Sequence, residues 1–267
     1  MTIHYHGSPI WGDGGEVCKI AVRVAGSFIS FVRPDQIKLS LETAERVAID
    51  NGAYSYWGKE KTDRADWTGF YSWLMKYYHH EKIEFFCIPD VITGGESEND
   101  KLIRELPTMF RAKAAPVWHL HESIDRLVAL CEQWPRVCFG SSGQYAVIRT
   151  AAWHARMIEA FAEIYIKRQF RTKIHGLRML DGRVLGNYPL ATADSTNIAC
   201  NVPKYENKYP ELTRAIRSAD YAQGLTTDEL KRLILCRRCA ILKNSIEAVT
   251  PPTIEKWINR QSAVAGV

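Results

Sequence analysis

The stretch RVAIDNGAY, residues 46–54, is an apolar run of strand length that ends abruptly in an aspartate, an asparagine and a glycine. Its apolar part is short and rich in β-branched residues, which favours a buried β-strand. The pattern recurs in FFCIPD (85–90), VCFGSSG (137–143) and LATADST (190–196), where apolar residues again give way to polar or small ones. The chain is therefore predicted to contain several short buried strands with polar carboxyl ends.

Eight strands of this kind are predicted, and amphipathic segments lie between many of them. The strands cover residues 2–6, 28–32, 46–50, 84–89, 115–119, 137–140, 173–177 and 190–194, and an extra hairpin is expected over 18–24 with its turn at 25–27. Helices are predicted at 67–80, 98–113, 123–134 and 151–170, where apolar residues recur at i, i+3 and i+4. Alternating strands and helices indicate a mostly parallel sheet.

An open doubly wound sheet and a closed barrel both fit this alternation. In a barrel the carboxyl ends of all strands meet at one site, whereas an open sheet uses only the strands beside its switch point. Because nearly every predicted strand ends in polar or small residues, we expect an α/β fold of the (β/α)₈, TIM-barrel-like type. The 267 residues contain no repeat or linker, so a single domain with extra C-terminal helices is predicted.

Residues 201–267 are predicted to be a basic, helical C-terminal extension of this domain. The segment has 11 Lys and Arg against 7 Asp and Glu, which is nearly all of the chain's net charge of +5. A long helix is expected to begin at a capping box from Thr226 to Glu229. Solvated helix faces and a nucleic-acid interface both fit such a segment. The second hypothesis assigns phosphate contacts to Lys231, Arg232, Arg237, Arg238 and Lys243.

The composition excludes several classes of protein. Apolar residues make up 46% and charged residues 24%, which is typical of a folded globular protein and not of a disordered or fibrous one. No secretory leader opens the sequence and no run of about 18 apolar residues occurs, so we expect neither secretion nor a membrane span. Seven irregularly spaced Cys are typical of reduced thiols, which indicates the cytoplasm, or the host cytoplasm if a phage encodes the protein.

Three aspartates, Asp50, Asp90 and Asp194, directly follow or end predicted strands. A carboxylate in such a position needs a partner, so each one either caps the following helix or belongs to a site. Two or three converging carboxylates suit chemistry at an anomeric carbon, where one attacks or stabilises an oxocarbenium-like centre and another transfers protons. The three aspartates together therefore indicate glycosyl chemistry.

Five short motifs, in order along the chain, resemble the tRNA-guanine transglycosylase superfamily. They are DNGAY (50–54), PDV (89–91), GSSG (140–143), HGLR (175–178) and ADSTN (193–197), and the resemblance covers residues 45–200. It is to the short phage and bacterial members, often called the DpdA group, which insert 7-deazaguanines into DNA. The resemblance implies a barrel enzyme that exchanges guanine in DNA for a 7-deazaguanine such as preQ0, with no redox cofactor or ATP.

The same resemblance implies the roles of individual residues. Asp194 matches the covalent nucleophile, Asp50 matches the general acid/base, and Asp90 matches the carboxylate that reads the guanine-like edge. The other residues expected to bind substrate are Asn51, His119, Gly140, Ser141, Ser142, Gly143 and His175.

The sequence departs from the tRNA-modifying members of that superfamily. Asp194 is not followed by their Pro-Thr-Arg, and their Asp-Ser-Gly-Gly-Phe-Gln motif is replaced by DNGAY, so DNA is expected as substrate with tRNA as an alternative. Their zinc pattern of three Cys and a later His is reduced to Cys236 and Cys239, which Cys200 joins only through folding. Tetrahedral structural zinc needs four ligands, so no metal is predicted and these three thiols are weak candidates.

A metal-dependent hydrolase is a competing hypothesis. His119, His121 and His175, together with Asp194, resemble the metal ligands of amidohydrolase-type barrels, in which a metal activates water. In that family the His-x-His pair closes the first strand, whereas here it lies near the middle of the chain. Three classes therefore stay open: a DNA transglycosylase, a metal-dependent barrel hydrolase, and a non-catalytic nucleic-acid-binding protein.

Overall fold

The computed structural model describes residues 3–11, 15–57, 65–204 and 210–265. Strands and helices alternate along most of this chain. The strands are β1 (His4–Ser8), β2 (Gly26–Ser30), β3 (Arg46–Asp50), β4 (Ile83–Cys87), β5 (Ala114–Ala115), β6 (Val117–His119), β7 (Arg136–Gly140), β8 (Lys173–Gly176) and β9 (Thr192–Ser195).

Helices surround the strands. The α-helices are α1 (Glu16–Val22), α2 (Ile37–Thr43), α3 (Ala53–Trp57), α4 (Trp67–Met75), α5 (Glu96–Arg104), α6 (Ile124–Gln133), α7 (Ala151–Phe161), α8 (Gly182–Leu185), α9 (Asn197–Asn201), α10 (Pro210–Arg217), α11 (Thr227–Glu247) and α12 (Ile254–Ala265). Short 3₁₀ turns lie at Thr108–Lys113, Gly143–Tyr145, Val202–Lys204 and Asp220–Ala222, and a π-helical turn, Ala162–Lys167, extends α7.

The nine strand segments pair in parallel, in the order β5-β4-β3-β2-β1-β9-β8-β7-β6. The two ends of this order, β5 and β6, are separated in the chain only by Pro116. Beside this residue, the Ile88 amide donates to the Ala115 carbonyl (2.9 Å) and the Cys138 amide donates to the Pro116 carbonyl (2.8 Å). Because β5 and β6 act as one barrel strand, the sheet has the (β/α)₈ architecture predicted from the sequence.

Alternation of side chains along the strands gives two apolar clusters. The cluster inside the barrel consists of Tyr5, Phe28, Ala48, Phe85, Cys87, Ala115, Val117 and Cys138. Outward-facing strand residues pack instead with the helices in a second, larger cluster. On three of these strands the residue two positions further along also points toward the barrel axis, at its carboxyl end. These residues are Asp50 after Ala48, His119 after Val117, and Gly140 after Cys138.

The eight predicted strands are present, with boundaries that shift by up to two residues. Residue 2, where the first was expected to begin, lies outside the described residues. The extra hairpin over 18–24 is wrong, because α1 occupies this region. Val17, Cys18, Ala21 and Val22 fall on one helical face and are all buried. The helix predicted over 98–113 is interrupted at Pro107, which cannot donate a helical hydrogen bond.

The C-terminal helices belong to the outer layer of the barrel. The helix between β8 and β9, α8, has only 4 residues, which is too short to cover both strands. Against this region packs α12, whose Trp257 is 1% exposed and lies 5.7 Å from the Phe161 ring. The long helix α11, which begins with the expected capping box, packs on α1 and places Glu247 2.8 Å from His6 of β1. The predicted extension thus covers the barrel wall.

No helix in the described part of the chain is long and apolar enough to cross a membrane.

Replacing Trp257 with alanine should destabilise the protein strongly, because the change leaves a cavity between α12 and α7. We expect Trp257→Ala to lower the free energy of unfolding by about 3–5 kcal/mol in urea denaturation. The matched control is Trp11→Ala, since the Trp11 side chain is 54% exposed; its cost should stay within about 0.5 kcal/mol. Equal effects of the two substitutions would contradict the packing of α12 described here.

Candidate active site

Asp50 is the last residue of β3 and lies at the carboxyl end of the barrel. Its pKa is raised to about 7, chiefly because burial disfavours the charged form; the Ser30 hydroxyl opposes this shift, and the negative charges of Asp90 and Asp194 add to it. The three predicted aspartates therefore lie close enough to interact. A carboxyl group with this pKa can both donate and accept a proton at neutral pH.

Asp194 is held through one of its two oxygens. The side chain, in β9, is buried, and its Oδ1 accepts a hydrogen bond from the Arg178 backbone amide (2.9 Å) and lies 3.3 Å from His175 Nε2. Among the residues that the structure describes, none donates to Oδ2. One oxygen is thus anchored, while the other has no hydrogen-bond donor among these residues.

His175 lies fully buried in β8, beneath Asp194. Its Nδ1 is 2.8 Å from the Thr192 hydroxyl, and its ring stacks on Phe28 at 5.3 Å and meets the edge of Phe85 at 4.9 Å. Burial lowers the pKa of His175 despite the neighbouring Asp194 carboxylate. The histidine is therefore neutral at pH 7 and fixed in orientation, and it touches the candidate nucleophile.

Asp90 follows β4 and is buried against Asn51 and His119. The Asn51 side-chain amide donates to Asp90 Oδ1 (2.7 Å) and to the Ile88 carbonyl (2.8 Å), and its oxygen accepts from the Ala53 amide (2.7 Å). Asn51, which was expected to bind substrate, thus orients Asp90 and caps the start of α3, and its contact with substrate stays a prediction.

His119 approaches Asp90 from the other side. Its Nε2 lies 2.9 Å from Asp90 Oδ2, but the angle does not suit a hydrogen bond, and neither ring nitrogen has a well-aligned partner among the described residues. The side chain is only 2% exposed. A buried ring with unsatisfied nitrogens beside a carboxylate is a feature that a polar ligand would complete.

A buried polar network holds the loops that carry Asp90 and His119. Glu122 accepts hydrogen bonds from the His119 amide (2.8 Å), Asn99 Nδ2 (3.0 Å) and Arg126 Nη1 (2.6 Å), while Asn99 Oδ1 accepts from the Val91 amide (2.7 Å). None of these residues was predicted from the sequence. Their only sequence signal is the i, i+4 spacing of Glu122 and Arg126, which is common on exposed helices and does not reveal burial.

The hydroxyls of the predicted Gly-Ser-Ser-Gly loop are already bonded. Ser141 Oγ accepts from the Trp153 indole nitrogen (2.9 Å), and Ser142 Oγ lies 2.7 Å from His121 Nδ1. The two serines were expected to bind substrate. In the structure they fix the loop through these contacts, and their contact with substrate stays a prediction.

The glycines of this loop keep the site open. A Cβ atom at Gly140 would lie 3.1 Å from His119 Nδ1, which is tighter than an ordinary contact. Gly143 has a φ of 54°, in the left-handed region that favours glycine. Gly140 thus borders the His119 ring, and its place in a base pocket stays a prediction.

Arg178 joins two loops at the mouth of the barrel. Its backbone amide bonds to Asp194, and its guanidinium lies 4.0 Å from the centre of the Tyr54 ring, which follows β3. Tyr54 is 46% exposed and lies 5.5 Å from the Trp57 ring. Arg178 and Tyr54 lie in the HGLR and DNGAY motifs but were assigned no individual role, because only the fold brings the segments after β3 and β8 together.

Two cavities lie at opposite ends of the barrel. One of about 250 Å³ opens beside the candidate site and is lined by Ile148, Arg178, Leu180, Asp181, Ser195, Thr196, Asn197 and Asn201. A larger one of about 470 Å³ lies at the amino end and is lined by Glu45, Arg46, Glu84, Phe85, Ala112, Lys113, Ala114, Pro135, Arg136 and Lys173. The aspartates of the candidate site lie at the carboxyl end of the barrel, the end that carries the smaller cavity. Barrel enzymes carry out their chemistry at this end.

Two of the five predicted phosphate contacts are corrected by the structure. Arg238 is 2% exposed and donates to the Thr213 hydroxyl, and Lys243 is 8% exposed and donates to the Ile20 carbonyl (3.2 Å). Both side chains serve the packing of α11. The exposed members of the set are Lys231, Arg232 and Arg237.

The described cysteines do not fit the zinc site of the tRNA-modifying members of the transglycosylase superfamily. Cys239 is buried and its thiol donates to the Val17 carbonyl (3.5 Å), whereas Cys200 is exposed on another helix. Across residues 3–11, 15–57, 65–204 and 210–265, no three His, Cys, Asp or Glu side chains are grouped as a metal site. Of the histidines in the hydrolase hypothesis, His119 stacks on His121 with ring centres 5.8 Å apart and lies beside Asp90, whereas His175 lies beside Asp194.

Comparisons with known proteins give little further information. No family model matches the sequence, and no curated protein matches it. Among solved structures, the chain is similar to a thiamine phosphate pyrophosphorylase from Bacteroides thetaiotaomicron, with 8% identity and a TM-score of 0.34, over 91% of this chain and 98% of that one. This likeness is too weak to support an argument about function. The barrel architecture itself is compatible with an enzyme.

The raised pKa of Asp50 predicts a pH-dependent stability difference between the wild type and Asp50→Asn. The folded state holds this proton up to about pH 7, whereas the unfolded chain releases it near pH 4. The wild type therefore loses stability relative to the variant as pH rises between these values. In urea denaturation, Asp50→Asn should be nearly neutral at pH 4 and stabilising by on the order of 2–4 kcal/mol at pH 8.

The control for this measurement is Asp35→Asn, since the Asp35 side chain is 41% exposed. The stability gain of Asp50→Asn over Asp35→Asn should be larger at pH 8 than at pH 4. A stability difference for Asp50→Asn that stays constant from pH 4 to pH 8 would show that the Asp50 carboxyl group is not perturbed.

Proposed function

We propose that this protein is a DNA guanine transglycosylase, which exchanges guanine for a 7-deazaguanine through a covalent aspartyl–sugar intermediate. The observation that carries the proposal is the pairing of two unlike carboxyl groups at the barrel mouth. Asp194 has one anchored and one available oxygen, whereas Asp50 has a pKa of about 7. This division suits a nucleophile beside a proton-transfer group.

The proposed reaction has two balanced steps. In the first, Asp194 Oδ2 forms a bond to C1′ of the deoxyribose as the bond from C1′ to guanine breaks, and Asp50 donates the proton that leaves with guanine. In the second, the incoming base gives a proton to Asp50 as its nitrogen attacks C1′ and the bond to Asp194 breaks. One glycosidic bond replaces another, so the exchange needs neither ATP nor a redox cofactor.

Asp90 is the proposed reader of the base. It is buried at a strand end with its carboxylate oriented by Asn51, and a carboxylate can accept the two adjacent N–H groups of a guanine-like edge. His119 lies beside it with ring nitrogens that lack aligned partners in the described chain. Guanine and a 7-deazaguanine share that edge, so one pocket serves both the leaving and the incoming base.

The mouth of the barrel carries groups suited to an extruded nucleotide. Tyr54 and Trp57 are 46% and 39% exposed there, and Arg178 lies across the Tyr54 ring. Enzymes that act on a base within a polynucleotide turn it out of the stack and hold it against such side chains. DNA is proposed over tRNA because the segment after Asp194 lacks the tRNA-modifying motif. The exposed Lys231, Arg232 and Arg237 add positive charge for the phosphate backbone.

Asp194→Asn tests the proposal most sharply, because it preserves the size of the side chain and removes the attacking anion. Wild-type protein incubated with guanine-containing DNA, without an incoming base, should form a protein–DNA adduct that survives denaturing electrophoresis. Asp194→Asn should form none and should lose base exchange, while keeping the fold and much of the DNA affinity, which phosphate contacts dominate.

The matched control for this change is Asp228→Asn, an exposed residue in the first turn of α11. It should form adduct and exchange bases like the wild type. Base exchange by Asp194→Asn at near wild-type rate would contradict both the assignment of the nucleophile and the covalent mechanism.

A further inference from the structure

A chain of polar side chains runs through the barrel interior from its amino end to Asp194. Arg136, the first residue of β7, donates from Nη1 to the Thr192 hydroxyl (3.0 Å) and from Nη2 to Glu84. The Thr192 hydroxyl lies 2.8 Å from His175 Nδ1, and His175 Nε2 lies 3.3 Å from Asp194 Oδ1. We call Arg136, Thr192, His175 and Asp194 the positioning column. It connects the guanidinium at the amino end of the barrel to the candidate nucleophile.

The directions of these hydrogen bonds follow from the chemistry of each group. An ionised Asp194 can only accept, so the proton of the neutral His175 ring must lie on Nε2. His175 Nδ1 is then an acceptor, which requires the Thr192 hydroxyl to donate its single proton there. Arg136 can only donate, and its bond to the Thr192 oxygen leaves that proton directed at His175. Every member of the column therefore has one consistent role.

The surroundings leave this arrangement little freedom. The His175 ring is enclosed by Phe28, Phe85 and Tyr5, and the Arg136 guanidinium lies 4.2 Å from the centre of the Phe85 ring. Thr192 and His175 have no exposed surface. The charged groups that face His175 are Asp194 above, and Arg136 and Glu84 below. Polar groups placed inside an otherwise apolar barrel are costly unless each one is paired.

We propose that Arg136 and Thr192 are positioning residues, which fix the Nε2–H tautomer of His175 and thereby hold Asp194 by Oδ1 with its other oxygen available for attack. The role in attack rests on the proposed transglycosylase function. The tautomer and its dependence on Thr192 do not, since they follow from the hydrogen bonds alone. The inference therefore has a readout that requires no activity.

The direct test is nitrogen NMR of the full-length protein labelled with ¹⁵N-histidine, with the His175 signals identified by their absence in His175→Gln. In the wild type at pH 7, Nδ1 of His175 should appear as an unprotonated ring nitrogen and Nε2 as a protonated one. A wild-type His175 with its proton on Nδ1 would overturn the inference, whatever the variants show.

The decisive variant is Thr192→Val, which keeps the shape of the side chain and removes the hydroxyl donor. The neutral ring then loses a bond that stabilises it, so the titration midpoint of His175 should rise. The variant kcat for base exchange should fall about 10- to 100-fold with little change in KM, because the nucleophile is less well held. Thr192→Ser, which retains the hydroxyl, should restore both values toward those of the wild type.

The matched control is Thr172→Val, which removes another buried threonine hydroxyl, one that donates to the Cys131 carbonyl at 3.0 Å. It should cost similar stability while leaving the His175 titration and kcat as in the wild type. A His175 titration in Thr192→Val that matches the wild type would overturn the inference. If Thr192→Val does not fold, the inference is tested by the tautomer of His175 in the wild type and by the titration midpoint of His175 in Thr192→Ser.

Failure of this inference and failure of the proposed function give different results. A protein without base exchange, but with the Nε2–H tautomer and a Thr192-dependent titration, refutes the transglycosylase and leaves the positioning column intact. A protein that exchanges bases while His175 is protonated on Nδ1 supports the transglycosylase and refutes the column.

Discussion

The barrel is completed on either side of Pro116, where β5 pairs with β4 and β6 pairs with β7, and the position of every candidate site residue depends on this pairing. In a parallel barrel all carboxyl ends meet at one mouth, so Asp50, His119, Gly140 and Asp194 converge although the chain separates them widely. Proline suits the junction because it has no amide hydrogen to donate, while its carbonyl still accepts from Cys138. The outer helices, including α12 over the short α8, cover the wall that this closure creates.

Convergence has an electrostatic consequence, since it brings three carboxyl groups into one partly buried mouth. Each of the three carboxyl groups has a different environment. Asp90 is bonded to Asn51, Asp194 is bonded to the Arg178 amide and lies against His175, and Asp50 instead has its pKa raised to about 7. Unlike environments for like groups are a means by which one site obtains both an acid/base and a nucleophile. The chemistry we propose depends on this difference.

Local sequence patterns were enough to predict the strands and the three aspartates, because strand period and strand ends are properties of neighbouring residues. The same reasoning failed for α1, a helix of 7 residues whose β-branched content resembles that of a strand. It also failed for Arg238 and Lys243, since a basic residue on a long helix gives no sign of the surface that will bury it. Arg178 and Thr192 bond to partners on other strands, and Glu122 joins its local partners to the distant Asn99, so only the closed barrel reveals these contacts.

We propose that this barrel replaces guanine in DNA by a 7-deazaguanine. The most direct measurement is mass spectrometry of the nucleosides obtained by digesting DNA that has been incubated with the protein and preQ0. The account predicts that the 7-deazaguanine deoxynucleoside appears in the DNA and that free guanine is released in equal amount. DNA that remains unmodified, or guanine that is released without any 7-deazaguanine entering the DNA, would contradict it.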